Sequence, residues 1–215
     1  APPARAADLT GNASLTSDYV WRGSTQTSGD PAAQAGFRLA GENGLYASVW
    51  GSNVKFATGS DASSEFDSAI GWGKALNDDC ALDVNVLRYQ YPSTASDLDW
   101  TELNGTLTWK GNYWASAGYS NKALGYDADG VYVLVGAKFP INDKLRVEGS
   151  AAHYFLNDAV VARSGYTHGA LSVVWTMKGP LEARLTAHAT DSDAKAIFGD
   201  DTAGTRFEAA LQANF

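Results

Sequence analysis

Side chains of opposite charge recur two residues apart in this sequence, and they are the residues most capable of doing chemistry. The pairs are Arg146 and Glu148, Glu182 and Arg184, and Arg206 and Glu208. In an extended strand, residues i and i+2 point to the same face, so each pair sets an acid beside a base. Such pairs can line a polar passage, or they can tie neighbouring strands together. Both interpretations stay open from the sequence.

The histidines give little support to catalysis. They are His153, His168 and His188, and Ser150 precedes the first of them by three residues. Strand alternation would place Ser150 and His153 on opposite faces, where the hydroxyl cannot pass its proton to the imidazole. We therefore predict that the protein is not an enzyme.

Two short motifs suggest a phosphate or a metal ion, and neither has the required spacing. The stretch "GWGK" (71–74) lacks the spacing and the final Ser or Thr of a phosphate-binding loop. The stretch "DADG" (127–130) has no Glu at the twelfth position of a calcium loop: one register gives Lys138 and the other gives Gly136. No metal and no cofactor are predicted.

Composition excludes further classes. The 215 residues carry a net charge of −8 without a basic block, so nucleic acid is not an expected partner. No apolar run approaches the roughly 20 residues that a membrane-spanning helix needs. The single cysteine, Cys80, has no partner for a disulfide. A membrane protein that spans the bilayer with β-strands is not excluded, because half of its strand residues face a polar interior and no long apolar run is needed.

Hydrophobic alternation with a period of two runs through most of the chain. Near the end, Phe207, Leu211 and Phe215 alternate with Arg206 and Glu208. About twelve such segments are separated by turns, and this period is typical of strands. The predicted strands are 9–21, 32–40, 45–55, 64–75, 81–91, 99–109, 112–120, 130–139, 144–155, 166–177, 181–190 and 204–215.

The connections alternate between short and long. Five short turns (41–44, 77–80, 110–111, 141–144 and 178–180) interleave with six longer loops (22–31, 56–63, 92–98, 121–129, 156–165 and 191–203). This parity is typical of a transmembrane barrel with short periplasmic turns and long extracellular loops. We predict an all-β fold: a transmembrane antiparallel up-and-down β-barrel of about 12 strands over residues 9–215. Residues 1–8 would be an N-terminal extension, in which Ala4-Arg5-Ala6 resembles a signal-peptide remnant.

The polar face of these strands carries charge that a dry core would not tolerate, because each unpaired ion costs on the order of several kcal/mol to bury. A wetted interior removes most of that penalty. The predicted pore-lining residues are Asp18, Arg38, Asp67, Asp83, Glu102, Arg146, Glu148, Glu182, Arg184, His188, Arg206 and Glu208.

Aromatic residues cluster at the strand ends, where amphipathic rings would meet lipid headgroups. Trp109, Tyr113, Phe139, Trp175 and Phe215 lie beside short turns, and Tyr19, Trp21, Phe66, Tyr119, Phe155 and Phe207 lie beside long loops. The apolar face is therefore predicted to contact lipid.

The first strands also carry a family resemblance. The run Ser17-Asp18-Tyr19-Val20-Trp21-Arg22-Gly23, followed by Gln26, and Gly44-Leu45-Tyr46 leading to Trp50, resemble the opening of the TorF-like family of porins from proteobacteria. The resemblance is specific over residues 9–54 and general beyond. It implies an outer-membrane barrel with a pore, and it transfers no ligand or catalytic residue.

These features predict a passive diffusion channel for small hydrophilic solutes in the bacterial outer membrane, with outer-membrane lipid and lipopolysaccharide as further partners. Acidic outer loops suggest a modest cation preference and divalent-cation bridges to lipopolysaccharide. One alternative is a non-conducting barrel that contacts a protein partner, which inward Tyr46, Trp50, Trp114, Tyr132 and Tyr154 would favour by narrowing the interior. Another is a soluble β-sandwich or lectin-like module. A homo-oligomer is neither predicted nor excluded.

Overall fold

The computed structural model describes residues 7–56 and 60–215. The predicted signal-peptide remnant at Ala4-Arg5-Ala6 lies outside the described residues. None of the helices within them is long and apolar enough to cross a membrane.

Strands account for most of the described chain. They are β1 (Asp8–Thr16), β2 (Val20–Trp21), β3 (Ser24–Thr25), β4 (Ala32–Ala40), β5 (Leu45–Asn53), β6 (Ser64–Ala75), β7 (Cys80–Gln90), β8 (Trp100–Trp109), β9 (Tyr113–Ser120), β10 (Gly130–Asn142), β11 (Leu145–Phe155), β12 (Gly165–Thr176), β13 (Leu181–Thr190) and β14 (Arg206–Asn214). A short helix, α1 (Ser192–Phe198), and a 3-10 turn, Ala123–Gly125, lie in the loops.

Twelve of these strands close into one antiparallel barrel. Each barrel strand pairs with its neighbour in the chain, and β1 pairs with both β4 and β14, which closes the ring. Closure leaves no exposed sheet edge. The predicted twelve-stranded barrel is confirmed, and the short turns gather at one end of it and the long loops at the other.

The outer surface of the barrel is apolar along every strand. Leu185 on β13 is 64% exposed, Leu9 on β1 is 63% exposed, and Phe207 on β14 is still more exposed. Their sequence neighbours point inward, so polar and apolar residues separate by face, as the alternation predicts. Soluble proteins rarely expose apolar bands of this extent, whereas a barrel in lipid requires one.

Glycines on β6 explain the "GWGK" stretch in packing terms. A Cβ on Gly71 would lie 2.5 Å from the Tyr46 hydroxyl, and one on Gly73 would lie 2.6 Å from Asp83 Oδ2. Both glycines face inward and make room for side chains of the flanking strands. This arrangement accounts for the spacing without any phosphate.

The structure corrects the first predicted strand. β1 ends at Thr16 and not at residue 21, because the chain turns inward at Asp18 and forms the small β2–β3 hairpin. Tyr19 and Trp21 consequently leave the predicted outer belt and pack inside the barrel, where Tyr19 contacts Trp50 and Trp21 contacts Trp100. The other predicted belt residues lie exposed on the outer surface.

Two further features differ from the prediction. β10 continues through Pro140 to Asn142, with a bulge that changes its register against β11, where a turn was predicted to begin at 141. Helix α1 was not predicted, because seven residues are too few to show a helical period. It is capped by Asp191, whose carboxylate accepts from the Ala194 backbone N–H at 3.1 Å.

Candidate functional site in the barrel interior

All twelve predicted pore-lining residues lie on the side away from the exposed apolar face. The barrel brings most of them into four groups. These are Arg38 with Asp83; Arg146, Glu148, Glu182 and Arg184; His188 with Glu208; and Arg206 with Asp18. Glu102 pairs with a residue that was not predicted, and Asp67 stays apart from these groups.

The first group lies near the short-turn end, on β4, β5 and β7. Arg38 Nη2 lies 3.5 Å from Asp83 Oδ2, and its guanidinium lies 3.5 Å from the centre of the Tyr46 ring. The Tyr46 hydroxyl donates to Asp83 Oδ1 at 2.7 Å. The Arg38 side chain is still 42% exposed and that of Asp83 is 29% exposed, so this pair contacts open space and does not lie in a dry core.

The second group is a ladder on β11 and β13. Arg146 donates to both oxygens of Glu182, at 2.6 and 2.9 Å, and through Nε to Glu148 at 2.7 Å. Arg184 Nη1 donates to the other oxygen of Glu148 at 2.6 Å. Charges therefore alternate in sign along the ladder, and each carboxylate is compensated.

These two groups occupy opposite walls of the barrel. Five strands lie between β5 and β11, and five lie between β7 and β13, so each pair is half-way around the ring of twelve. Arg38, Tyr46 and Asp83 lie close to the short-turn ends of their strands, as do Arg146 and Glu182. The interior thus has facing rows of mixed charge at this end.

Toward the long-loop end, the β1–β14 seam and the adjoining β13 carry the remaining pairs. Glu208 accepts from the Thr16 hydroxyl at 2.7 Å and lies 3.0 Å from His188 Nε2. Arg206 Nη1 lies 3.3 Å from Asp18 Oδ2. Asp18 also accepts hydrogen bonds from the hydroxyls of Thr25 and Thr27, so it anchors the first long loop, residues 17–31, to the seam.

The β2–β3 hairpin of this loop projects into the interior. Its two-residue turn has positive φ angles at Arg22 (48°) and Gly23 (83°), which is the conformation of a type I′ turn. A Cβ on Gly23 would lie 2.6 Å from Thr190 and 2.9 Å from His168. Only glycine fits there, since both the backbone conformation and the space require it.

Arg22, at the tip of the hairpin, is held in a cage formed by Glu102, Trp21, Tyr132 and Tyr154. Its Nη1 and Nη2 donate to the two oxygens of Glu102 on β8, at 3.0 and 2.7 Å. The guanidinium lies 3.8 Å from the ring centre of Tyr132, 4.4 Å from that of Trp21 and 4.8 Å from that of Tyr154. The side chains of Arg22 and Glu102 are 9% and 1% exposed, so this ion pair is dry, unlike the pairs at the short-turn end.

Sequence reasoning missed Arg22 because it was assigned to the start of an external loop. It also missed Glu65 on β6, which alternation places on the same face as Asp67. No atom of the described residues donates to Oε2 of Glu65 or Oδ1 of Asp67, although both oxygens are buried. Burial beside these carboxylates raises the pKa of Tyr19, in the adjoining loop, well above its usual value of 10.0.

The acidic outer loops do not form a metal site within the described residues, where no cluster of three or more His, Cys, Asp or Glu side chains could hold an ion. Several loop acids instead pair with loop bases. The pairs are Asp30 with Lys55, Asp97 with Lys122, Asp193 with Arg163 and Asp200 with Lys195.

Comparison with solved structures finds the same fold in several porins and channels. It resembles the NanC porin, with a TM-score of 0.61 at 12% identity over 97% of this chain and 99% of that one. The KdgM porin gives a TM-score of 0.58 at 7% identity, over 96% and 98%. An outer-membrane channel from Pseudomonas putida F1 gives 0.54 at 7%, over 97% and 95%. At identities this low, the structural similarity shows a shared fold alone.

Sequence comparison adds a family. A family model described as a bacterial protein of unknown function (Gcw_chp) matches residues 1–215. No curated protein matches the sequence at a significant level.

Proposed function

The chain belongs to the family described as bacterial protein of unknown function (Gcw_chp), and we propose that it is a porin-like channel of the bacterial outer membrane. Small hydrophilic solutes diffuse through its interior. Lipid surrounds the apolar outer face, and lipopolysaccharide contacts the long-loop end. The resemblance of residues 9–54 to the TorF-like porins, and the porin fold of the solved neighbours, agree with this proposal.

One observation carries the proposal: the facing rows of charge at the short-turn end are partly exposed inside the barrel. Arg38, Asp83, Arg146 and Arg184 each keep a quarter or more of their side chain exposed. Taking a charge out of water costs on the order of several kcal/mol even when it is paired, so this many partly exposed charges support a wetted passage. Because both walls carry both signs, the passage selects weakly between ions, and the acidic outer loops give it a small preference for cations.

Liposome swelling tests the channel directly. Refolded protein in liposomes is expected to admit glycine, glucose and a disaccharide at rates that fall with solute size, because a narrow wetted passage sieves by size. Protein-free liposomes provide the baseline. Swelling no faster than that baseline, with folded protein present, would contradict the proposal.

Selectivity is expected to depend on Arg146 more than on Arg38. Replacing Arg146 with Gln leaves Glu148 with one cationic partner and Glu182 with none of its two hydrogen bonds from Arg146. Reversal potentials in a salt gradient should therefore shift toward cation preference. Arg38→Gln is the matched control on the opposite wall, where only Asp83 loses its partner, and its shift should be smaller. A shift of Arg146→Gln toward anions would refute this account of the lumen.

A non-conducting barrel is the second candidate function, and the hairpin favours it. The dry cage around Arg22 fills the interior near the long-loop end, and Gly23, Ser24 and Thr25 are buried. In the channel proposal this hairpin is the constriction, whereas in the second candidate it is a permanent plug. The swelling experiment separates the two, since only a constriction passes the smallest solutes.

A further inference from the structure

A recess of about 250 Å³ opens in one sector of the inner wall, between β9 and β14. Its lining combines one indole ring with several hydrogen-bonding side chains. The lining residues that bear on the argument are Trp114, Glu148, Ser150, Arg184, His188 and Glu208. Concave sites of this composition, with an apolar surface and a few convergent polar groups, are typical of small-molecule binding.

Trp114 supplies a flat apolar surface. It lies opposite Gly136 of β10 in the strand register, and a Cβ on Gly136 would lie 2.3 Å from two atoms of the indole. The ring therefore lies down over the glycine and covers it, and does not stand out from the wall. One face of the indole packs on the backbone, which leaves the other face for a ligand.

The polar lining residues retain hydrogen-bonding capacity. Arg184 donates to Glu148 through Nη1, and a guanidinium carries five N–H donors, so most of them remain for a ligand. His188 contacts Glu208 through Nε2, which leaves Nδ1. The Ser150 hydroxyl faces inward beside them, and it can both donate and accept.

Both carboxylates of the recess already have partners within the barrel wall. Glu148 is held between Arg146 and Arg184, and Glu208 lies against His188 and the Thr16 hydroxyl. A net-charged ligand would have to disrupt one of these pairs. A ligand with many hydroxyls can instead donate to the carboxylates and accept from the guanidinium without disturbing them.

We propose that this recess binds neutral, hydroxyl-rich solutes, of the sugar or polyol class, during their passage. The weakly polar face of a sugar ring would stack on Trp114. The hydroxyls of the sugar would form hydrogen bonds with Glu148, Arg184 and Ser150. This inference rests on the proposed channel function, and it names the solute class that the channel retains.

Block of the ion current by maltose in a planar bilayer tests the inference. Maltose is expected to reduce the wild-type current in a concentration-dependent way. Trp114→Ala should raise the half-blocking concentration about tenfold, because the stacking surface is lost. Trp114→Phe keeps an aromatic face and should recover part of the block. Trp109→Ala is the matched control, since Trp109 lies exposed on the outer surface, and its block should equal that of the wild type.

The outcomes separate the inference from the channel itself. Current steps that maltose does not block would overturn the proposed sugar binding in the recess, and so would equal half-blocking concentrations in Trp114→Ala and wild type. Either result is still compatible with the proposed channel function. Stronger block by gluconate than by maltose overturns the neutral solute class. Absence of current steps from folded wild-type protein overturns the channel and the inference with it.

Discussion

Replacing Arg22 with Ala is expected to raise the single-channel conductance several-fold and to make the current fluctuate between levels. Arg22 and Glu102 form a dry bidentate pair, and removing one partner of a buried pair costs about 3–5 kcal/mol, because the other charge is left unpaired. Glu102 regains water when the hairpin leaves the interior. Movement of the hairpin therefore removes the free-energy cost of the unpaired Glu102 and opens the constriction. Single-channel recording in a planar bilayer measures the resulting conductance.

Two controls isolate the hairpin. Arg163→Ala removes another loop arginine, whose pair with Asp193 is exposed, and its conductance should match that of the wild type because exposed pairs contribute little. Arg22→Ala combined with Glu102→Ala removes the buried charge altogether, so the hairpin should return toward the closed position in a larger fraction of recordings. If Arg22→Ala folds and conducts as the wild type does, the hairpin is not the constriction.

Replacing Leu185 with Arg is expected to destabilise the folded barrel in lipid by about 2–4 kcal/mol, the cost of an arginine on the lipid face at the bilayer midplane. Leu185 is 64% exposed at the middle of β13. Urea titration of the refolded protein in lipid vesicles, followed by tryptophan fluorescence, gives the difference in the free energy of unfolding.

Leu9→Arg is the matched control. Leu9 is 63% exposed, but it is the second residue of β1. In the proposed membrane it would therefore lie at the headgroup level, where an arginine costs about 0–1 kcal/mol. The two leucines thus share type and exposure and differ in depth. Equal effects of the two substitutions would contradict a membrane around the barrel.

Alternation predicted the barrel because one face of every strand meets the same environment along its whole length. Strand β14 illustrates this alternation: its outward residues include Phe207 and Leu211, and its inward residues include Arg206 and Glu208. Neither face depends on a residue far away in the sequence. The strand boundary at Thr16 had no such signal. Asp18, Tyr19 and Trp21 continue the alternation of polar and apolar residues past Thr16. The turn inward depends on hydrogen bonds that Asp18 accepts from Thr25, Thr27 and Arg206.

The interior groups were predictable only where partners lie close in sequence. Arg146 and Glu148 are adjacent on one face of β11, so their contact follows from strand geometry. The pairing of Arg146 with Glu182 crosses from β11 to β13, past β12, because the curvature of the barrel brings inward side chains together. Arg22 and Glu102 are 80 positions apart, and only the folded loop joins them.

The most direct test of the channel is a planar bilayer recording of refolded wild-type protein whose folding has been checked by heat-modifiable mobility on detergent gels. We expect steady current steps of small amplitude, with a reversal potential slightly on the cation side in a salt gradient. A silent bilayer with heat-modifiable protein present would contradict the channel, and would make the hairpin a permanent plug in a structural barrel.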